Sequence, residues 1–121
     1  MLLDSNIIIY SFHPEFQELL QAFISSHECC CSVISYLETL GYHKLSDDEK
    51  YYLQRFFDTI TVLPVTQVIV STAIAVRQQR KMSLGDALIA ATALEHRQTL
   101  ATRNVKDFDW LEGLKSIDPL A

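Results

Sequence analysis

Short apolar runs alternate along the chain with stretches whose apolar residues recur at helical spacing, the rhythm of an α/β domain. The pattern predicts a strand at Leu2–Asp4, beginning almost at the first residue, and a short apolar helix over Asn6–Phe12. Pro14 suits the first turn of a second helix, Glu15–Ser26, with Phe16, Leu19, Leu20 and Phe23 on one face. A strand at Glu28–Val33 leads into a helix over Ile34–Leu45 that carries Glu38. Ser46-Asp47-Asp48-Glu49 has the form of a capping box and opens another helix. A third strand is expected at Thr61–Pro64, two longer helices at Thr66–Lys81 and Leu84–Arg97, a fourth strand at Thr99–Thr102 and a fifth at Leu114–Ile117. There is no repeat, linker or low-complexity tract in 121 residues. The expectation is one domain, residues 1–121: an α/β fold with a mostly parallel central sheet of four to five strands flanked by helices.

Composition narrows the functional classes. A hydrophobic content of 49% suffices for one continuous core, and no stretch approaches a membrane span. The opening residues lack the basic and apolar regions of a signal peptide, so a soluble cytoplasmic protein is expected. A net charge of −5 argues against a general nucleic-acid coating protein, though not against an enzyme whose bound cations supply positive charge locally. Cys29, Cys30 and Cys31 are consecutive, so neighbours point to opposite faces of a strand and form no C-x-x-C pair. They read as buried thiols in a reducing compartment. His13, His27, His43 and His96 share no metal-ligand spacing.

Four acids stand where an apolar run meets the next segment: Asp4, Glu38, Asp86 and Asp107. In open parallel sheets ligands bind beyond the carboxyl ends of the strands. Asp4 ends the first strand and Asn104 and Asp107 follow the fourth, so they share an edge if those strands are neighbours. Each acid also has a local reading. Asp4 can cap the short helix after it, Ser83-x-x-Asp86 matches a capping box, Glu38 can be a solvated helix residue, and Asp109 rivals Asp107. Spacing leaves these alternatives open. Convergence has a distinct physical signature, because two carboxylates about 4 Å apart repel by roughly 4 kcal/mol at an effective dielectric near 20. Four of them need a cation or raised pKa values, and Mg2+ or Mn2+ prefers such oxygen donors. A cluster of this kind suits phosphodiester hydrolysis, since a bound cation polarises the phosphate and acidifies the attacking water. A receiver domain would need paired acids after its first strand, and a haloacid-dehalogenase-like hydrolase a second Asp where Asn6 stands. A non-catalytic module holding a basic peptide in an acidic pocket is the remaining alternative.

Four blocks carry a family resemblance: Leu3-Asp4-Ser5-Asn6, Ser35-Tyr36-Leu37-Glu38, Asp86-Ala87-Leu88-Ile89-Ala90-Ala91-Thr92-Ala93, and Thr102-Arg103-Asn104-Val105-Lys106-Asp107-Phe108 with Gly113-Leu114. In this order the chain resembles the PIN-domain ribonucleases, in particular the VapC-like toxins of type II toxin–antitoxin systems. The resemblance implies a Mg2+- or Mn2+-dependent endoribonuclease with Asp4, Glu38, Asp86 and Asp107 as its acidic metal site. It further implies that Ser5, Asn6, Thr102 and Asn104 orient carboxylates, waters or the scissile phosphate, and it prefers Asp107, which directly precedes Phe108, to Asp109. Ser5 keeps the hydroxyl of the Thr found in many relatives. The implied partners are RNA, a cognate antitoxin that reaches the carboxylates with a basic side chain, and a second copy of the chain. Tyr10, Phe12, Phe16, Tyr36, Tyr51 and Tyr52 suit either a contact surface or the core.

Overall fold

The computed structural model describes residues 1–121. The elements in chain order are β1 (Leu2–Leu3), α1 (Ser5–Tyr10), α2 (Gln17–Ser26), β2 (Cys30–Ser32), α3 (Val33–Leu40), α4 (Asp47–Thr59), β3 (Thr61–Leu63), α5 (Gln67–Gln79), α6 (Leu84–Glu95), β4 (Leu100–Ala101) and β5 (Ser116–Ile117). A 3-10 turn at Val105–Asp107 joins the last two strands. All five strands are parallel, in the order β3-β2-β1-β4-β5. From β1 the chain moves outward through β2 to β3, then crosses back to place β4 on the other side of β1. That reversal opens a crevice at the carboxyl ends of β1 and β4, the position ligands take in such sheets.

The strands are two or three residues long, yet their alternation divides the core cleanly. Leu2 and its partner Leu100 face the side covered by α5 and α6, where they pack with Ile69, Ala73, Val76, Ile89 and Phe108. Leu3, Cys31 and Ala101 face the side covered by α1, α2 and α4, against Ile7, Ile8, Leu20, Leu53 and Phe57. The small residues Ala87, Ala90, Ala91 and Ala93 of α6 are fully buried, which lets this helix lie close under the sheet.

Several boundaries differ from expectation, each for a local reason. α2 begins at Gln17 and Pro14 stays in the preceding turn. Leu19 is 64% exposed, because α2 buries one narrow edge through Leu20 instead of a broad face. α3 stops at Leu40 with Gly41 as its C-cap; the Gly41 N–H still reaches the Leu37 carbonyl, and any Cβ there would collide with that oxygen, so the cap requires glycine. Leu37 is likewise exposed rather than packed. The capping box of Ser46 and Glu49 forms as read. Cys29 lies just before β2; the three cysteines are free, but only Cys31 is buried and Cys29 and Cys30 are half-buried, and burial pushes all three thiols up, Cys31 to about 12. Among the aromatic residues, Tyr10, Phe12, Phe16 and Tyr52 pack against the core and Tyr36 and Tyr51 are exposed.

Candidate active site

Asp4 occupies the step between β1 and α1, where chain direction changes and a buried carboxylate finds free donors. Its backbone N–H pairs with Ala101 of β4 at 2.9 Å, which ties the position to the neighbouring strand. The carboxylate is held from both sides: Ser5 N–H donates to Oδ1 at 2.8 Å and the Thr102 hydroxyl to Oδ2 at 2.8 Å. Thr102 is fully buried and its oxygen accepts the Asn104 N–H at 3.0 Å. With one proton to give, that hydroxyl points toward Asp4. Asp4 is therefore the N-cap of α1 and a carboxylate held at both oxygens. Burial raises its pKa from 3.8 to about 6 against those two hydrogen bonds, with Asp86 and Glu38 adding to the rise.

Glu38 enters from α3. Ser5 Oγ lies 2.8 Å from Glu38 Oε1 and 2.9 Å from Ser35 Oγ. An ionised carboxylate only accepts, so Ser5 donates to Glu38 and Ser35, fully buried, donates to Ser5. On the opposite side Glu38 rests over Gly85 in the first turn of α6, where a Cβ would stand 3.0 Å from Oε2. Asp86 follows in that turn, its N–H bonded to the Ser83 hydroxyl that caps the helix. It is half-buried; burial raises its pKa, the Ser83 side chain lowers it, and Asp107 and Glu38 raise it further. Asp107 sits exposed on the 3-10 turn and lines one cavity with Asp86, whereas Asp109 does not.

The structure thus links Asp86 electrostatically to Asp4, Glu38 and Asp107. None of the four forms a salt bridge; the chain's ion pair is Arg103–Asp118 at 3.3 Å. Nor are they closed into a ready ligand set: no three His, Cys, Asp or Glu side chains are placed to hold an ion. Their hard oxygen donors fit Mg2+ or Mn2+, and Mg2+ in particular commonly uses one or two carboxylates and keeps several waters.

The supporting residues divide. Ser5 and Thr102 bind carboxylates directly. Asn6 accepts the Arg103 N–H at 3.4 Å and so steadies the loop after β4. Asn104 contributes its backbone N–H, and its exposed side chain makes no hydrogen bond. Sequence reasoning missed Ser35 and Gly85 as positioning residues. Ser35 had one signal, its place three residues before Glu38 on the same helix face. Gly85 had none, because its role depends on a carboxylate from another helix.

The PIN domain family model matches residues 1–112. Among solved structures, the chain is similar to a toxin–antitoxin complex from Klebsiella pneumoniae at 30% identity and TM-score 0.79, covering 98% of this chain and 96% of that one. It is similar in fold to DNA-bound VapBC from Salmonella typhimurium at 19% identity and TM-score 0.83, covering 98% and 96%. The same holds for FitAcB from Neisseria gonorrhoeae at 24% identity and TM-score 0.79, covering 98% and 97%. No curated protein matches the chain.

Proposed function

We propose, from the premise that this chain belongs to the PIN domain family, that it is a Mg2+- or Mn2+-dependent endoribonuclease and the toxin of a toxin–antitoxin pair. The observation that carries this reading is the run of mutually repelling carboxylates through Asp86 to Asp4, Glu38 and Asp107, none of them held in a salt bridge. Such an arrangement is costly unless a cation completes it. The likeness to a toxin–antitoxin complex at 30% identity supports an antitoxin as the protein partner. A basic side chain of that partner would neutralise the same carboxylates and shut the site. A homodimer and a cytoplasmic location belong to the same reading.

Asp4 and Asp86 would hold the cation, with Glu38 and Asp107 on either flank. The bound ion supplies charge that polarises the phosphodiester and lowers the pKa of an attacking water. The chain's own residues position and protect. Thr102 and the Ser5 N–H keep both Asp4 oxygens oriented, and their hydrogen bonds favour its ionised form. Ser5, itself held by Ser35, fixes Glu38 beside the α6 N-terminus, where the helix dipole favours negative charge. Asp107, exposed and free of side-chain partners, adjusts to the substrate.

The test is cleavage of end-labelled transfer RNA and a structured messenger fragment by the antitoxin-free protein with Mg2+, with Mn2+ and with chelator. Products with 5′-phosphate and 3′-hydroxyl ends, abolished by chelator and by Asp86→Asn, are expected. Cleavage that survives chelation or the substitution would contradict the reading. A folded protein that binds Mn2+ and cleaves nothing would favour a non-catalytic module for a basic peptide.

A further inference from the structure

Beside the acidic cluster lies a cavity of about 570 Å3 with the opposite electrostatic character. Arg77 from the last turn of α5, Arg80 and Lys81 from the connection to α6, and Lys106 from the 3-10 turn all line it. These are four of ten Lys and Arg residues in a chain of net charge −5. Asp86 and Asp107 form part of its wall, yet none of the four cations makes a salt bridge. Like charges gathered without partners repel one another, so the cavity favours an anion. One aromatic residue completes it. Trp110 is half-buried against the core, its indole N–H donates to the Asp107 carbonyl at 2.8 Å, and the Arg80 guanidinium lies 5.3 Å from its ring centroid.

We propose that this cavity seats single-stranded RNA next to the scissile bond, with the cations on backbone phosphates and a base on the Arg80–Trp110 stack. Its placement beside the scissile bond rests on the nuclease reading above. A flat aromatic–guanidinium pair beside a row of cations is the combination that tracks a single strand, because every unpaired base offers a π-face. A duplex keeps its bases stacked internally and gains only the phosphate contacts. The indole hydrogen bond couples the platform to the turn that carries Asp107, and Asp86 and Asp107 line the same cavity, so a strand seated here lies beside both. Arg77 has a structural duty as well, since its Nε donates to the Met82 carbonyl at 3.0 Å. Arg80 and Lys81 are exposed and free of that duty.

Trp110 is the only tryptophan, so its emission reports on the cavity directly. The intact chain, with chelator present to stop cleavage, is titrated with a short oligouridylate, with a duplex of equal length and with polyglutamate. The single strand is expected to change the emission saturably, more strongly than the duplex or the polypeptide. Arg80→Gln with Lys81→Gln should weaken single-strand affinity about tenfold and reduce the slope of log affinity against log salt by about 1.4, or about 0.7 per phosphate contact. Trp110→Phe, checked for folding by circular dichroism, should weaken binding of the oligomer, followed by anisotropy of an end label. Under cleavage conditions the double variant should raise KM and leave kcat unchanged. Unchanged RNA affinity in both variants, beside normal cleavage, would overturn the proposal and spare the nuclease reading. Binding that depends on Arg80 and Lys81 in a protein that never cleaves would support the RNA seat and remove the nuclease reading. Polyglutamate binding tighter than RNA would reassign the cavity to an acidic protein segment.

Discussion

The two halves of the acidic cluster are built in opposite ways. At the end of β1 and on α3, Asp4 is buried, both its oxygens accept hydrogen bonds, and Glu38, though exposed, is pinned by a chain of two serine hydroxyls. At the α6 start and the 3-10 turn, Asp86 is half-buried and Asp107 is exposed, and the space beside them opens into the basic cavity. The first half fixes charge before any ligand arrives, which is the preorganisation a metal-assisted hydrolysis requires. The second half has room for a substrate. One proposed cation holder, Asp4, is thus locked in place, while the other, Asp86, stands where the site opens towards the RNA.

The largest expected effect tests the rigid half through pH. Asp4 titrates near 6 in the folded chain against 3.8 for the unfolded one, so the native state keeps a proton that the unfolded state has lost between those values. By linkage, this group makes metal-free stability fall as pH rises through that window, by about 3 kcal/mol in all. Urea midpoints from pH 4 to 7 should show the decline in wild type, and Asp4→Asn should flatten it. A flat wild-type profile would mean that Asp4 is not buried as described.

Next in size is Thr102→Val, which keeps the shape of a fully buried residue but removes the hydroxyl on Asp4 and strands the Asn104 N–H. A loss of about 2 kcal/mol in urea unfolding at pH 7 is expected, with Asp4 pushed above its wild-type pKa. Gly85→Ala separates stability from geometry. Alanine favours the helix by up to about 1 kcal/mol, yet its Cβ at 3.0 Å displaces Glu38 from its seat. Stability should hold or rise slightly while cleavage falls about tenfold, since small misplacements of catalytic groups are amplified in rate. The smallest effect lies outside both halves. Arg97, after α6, adopts φ 53, a left-handed conformation that costs a residue with a Cβ about 1 kcal/mol. Arg97→Gly should recover part of that in thermal unfolding and leave cleavage unaltered.

The same contrast explains what was legible in the sequence. Asp4, Asp86 and the capping serines announced themselves because cap positions have local chemistry, and the order of strands and helices followed from periodicity. Local signals failed where a residue's role is set by another element. Leu19 has the spacing of a core residue, but α2 has too little neighbouring structure to cover it. Ser35 and Gly85 support Glu38 only once α1, α3 and α6 have assembled. Asp107 and Asp109 are equivalent by spacing, and the direction of a three-residue turn places only the former beside Asp86. The cations of the cavity were invisible in a net charge of −5, because they come together only when the end of α5 and its connection to α6 meet the turn after β4.

The central claim, that carboxylates from separate elements make one cation site, is tested most directly by calorimetric titration of the folded protein with Mn2+, beside Asp4→Asn and Asp86→Asn. Saturable binding in wild type, lost in each variant while both remain folded, is the predicted result. No binding by wild type, or equal binding by the variants, would contradict it.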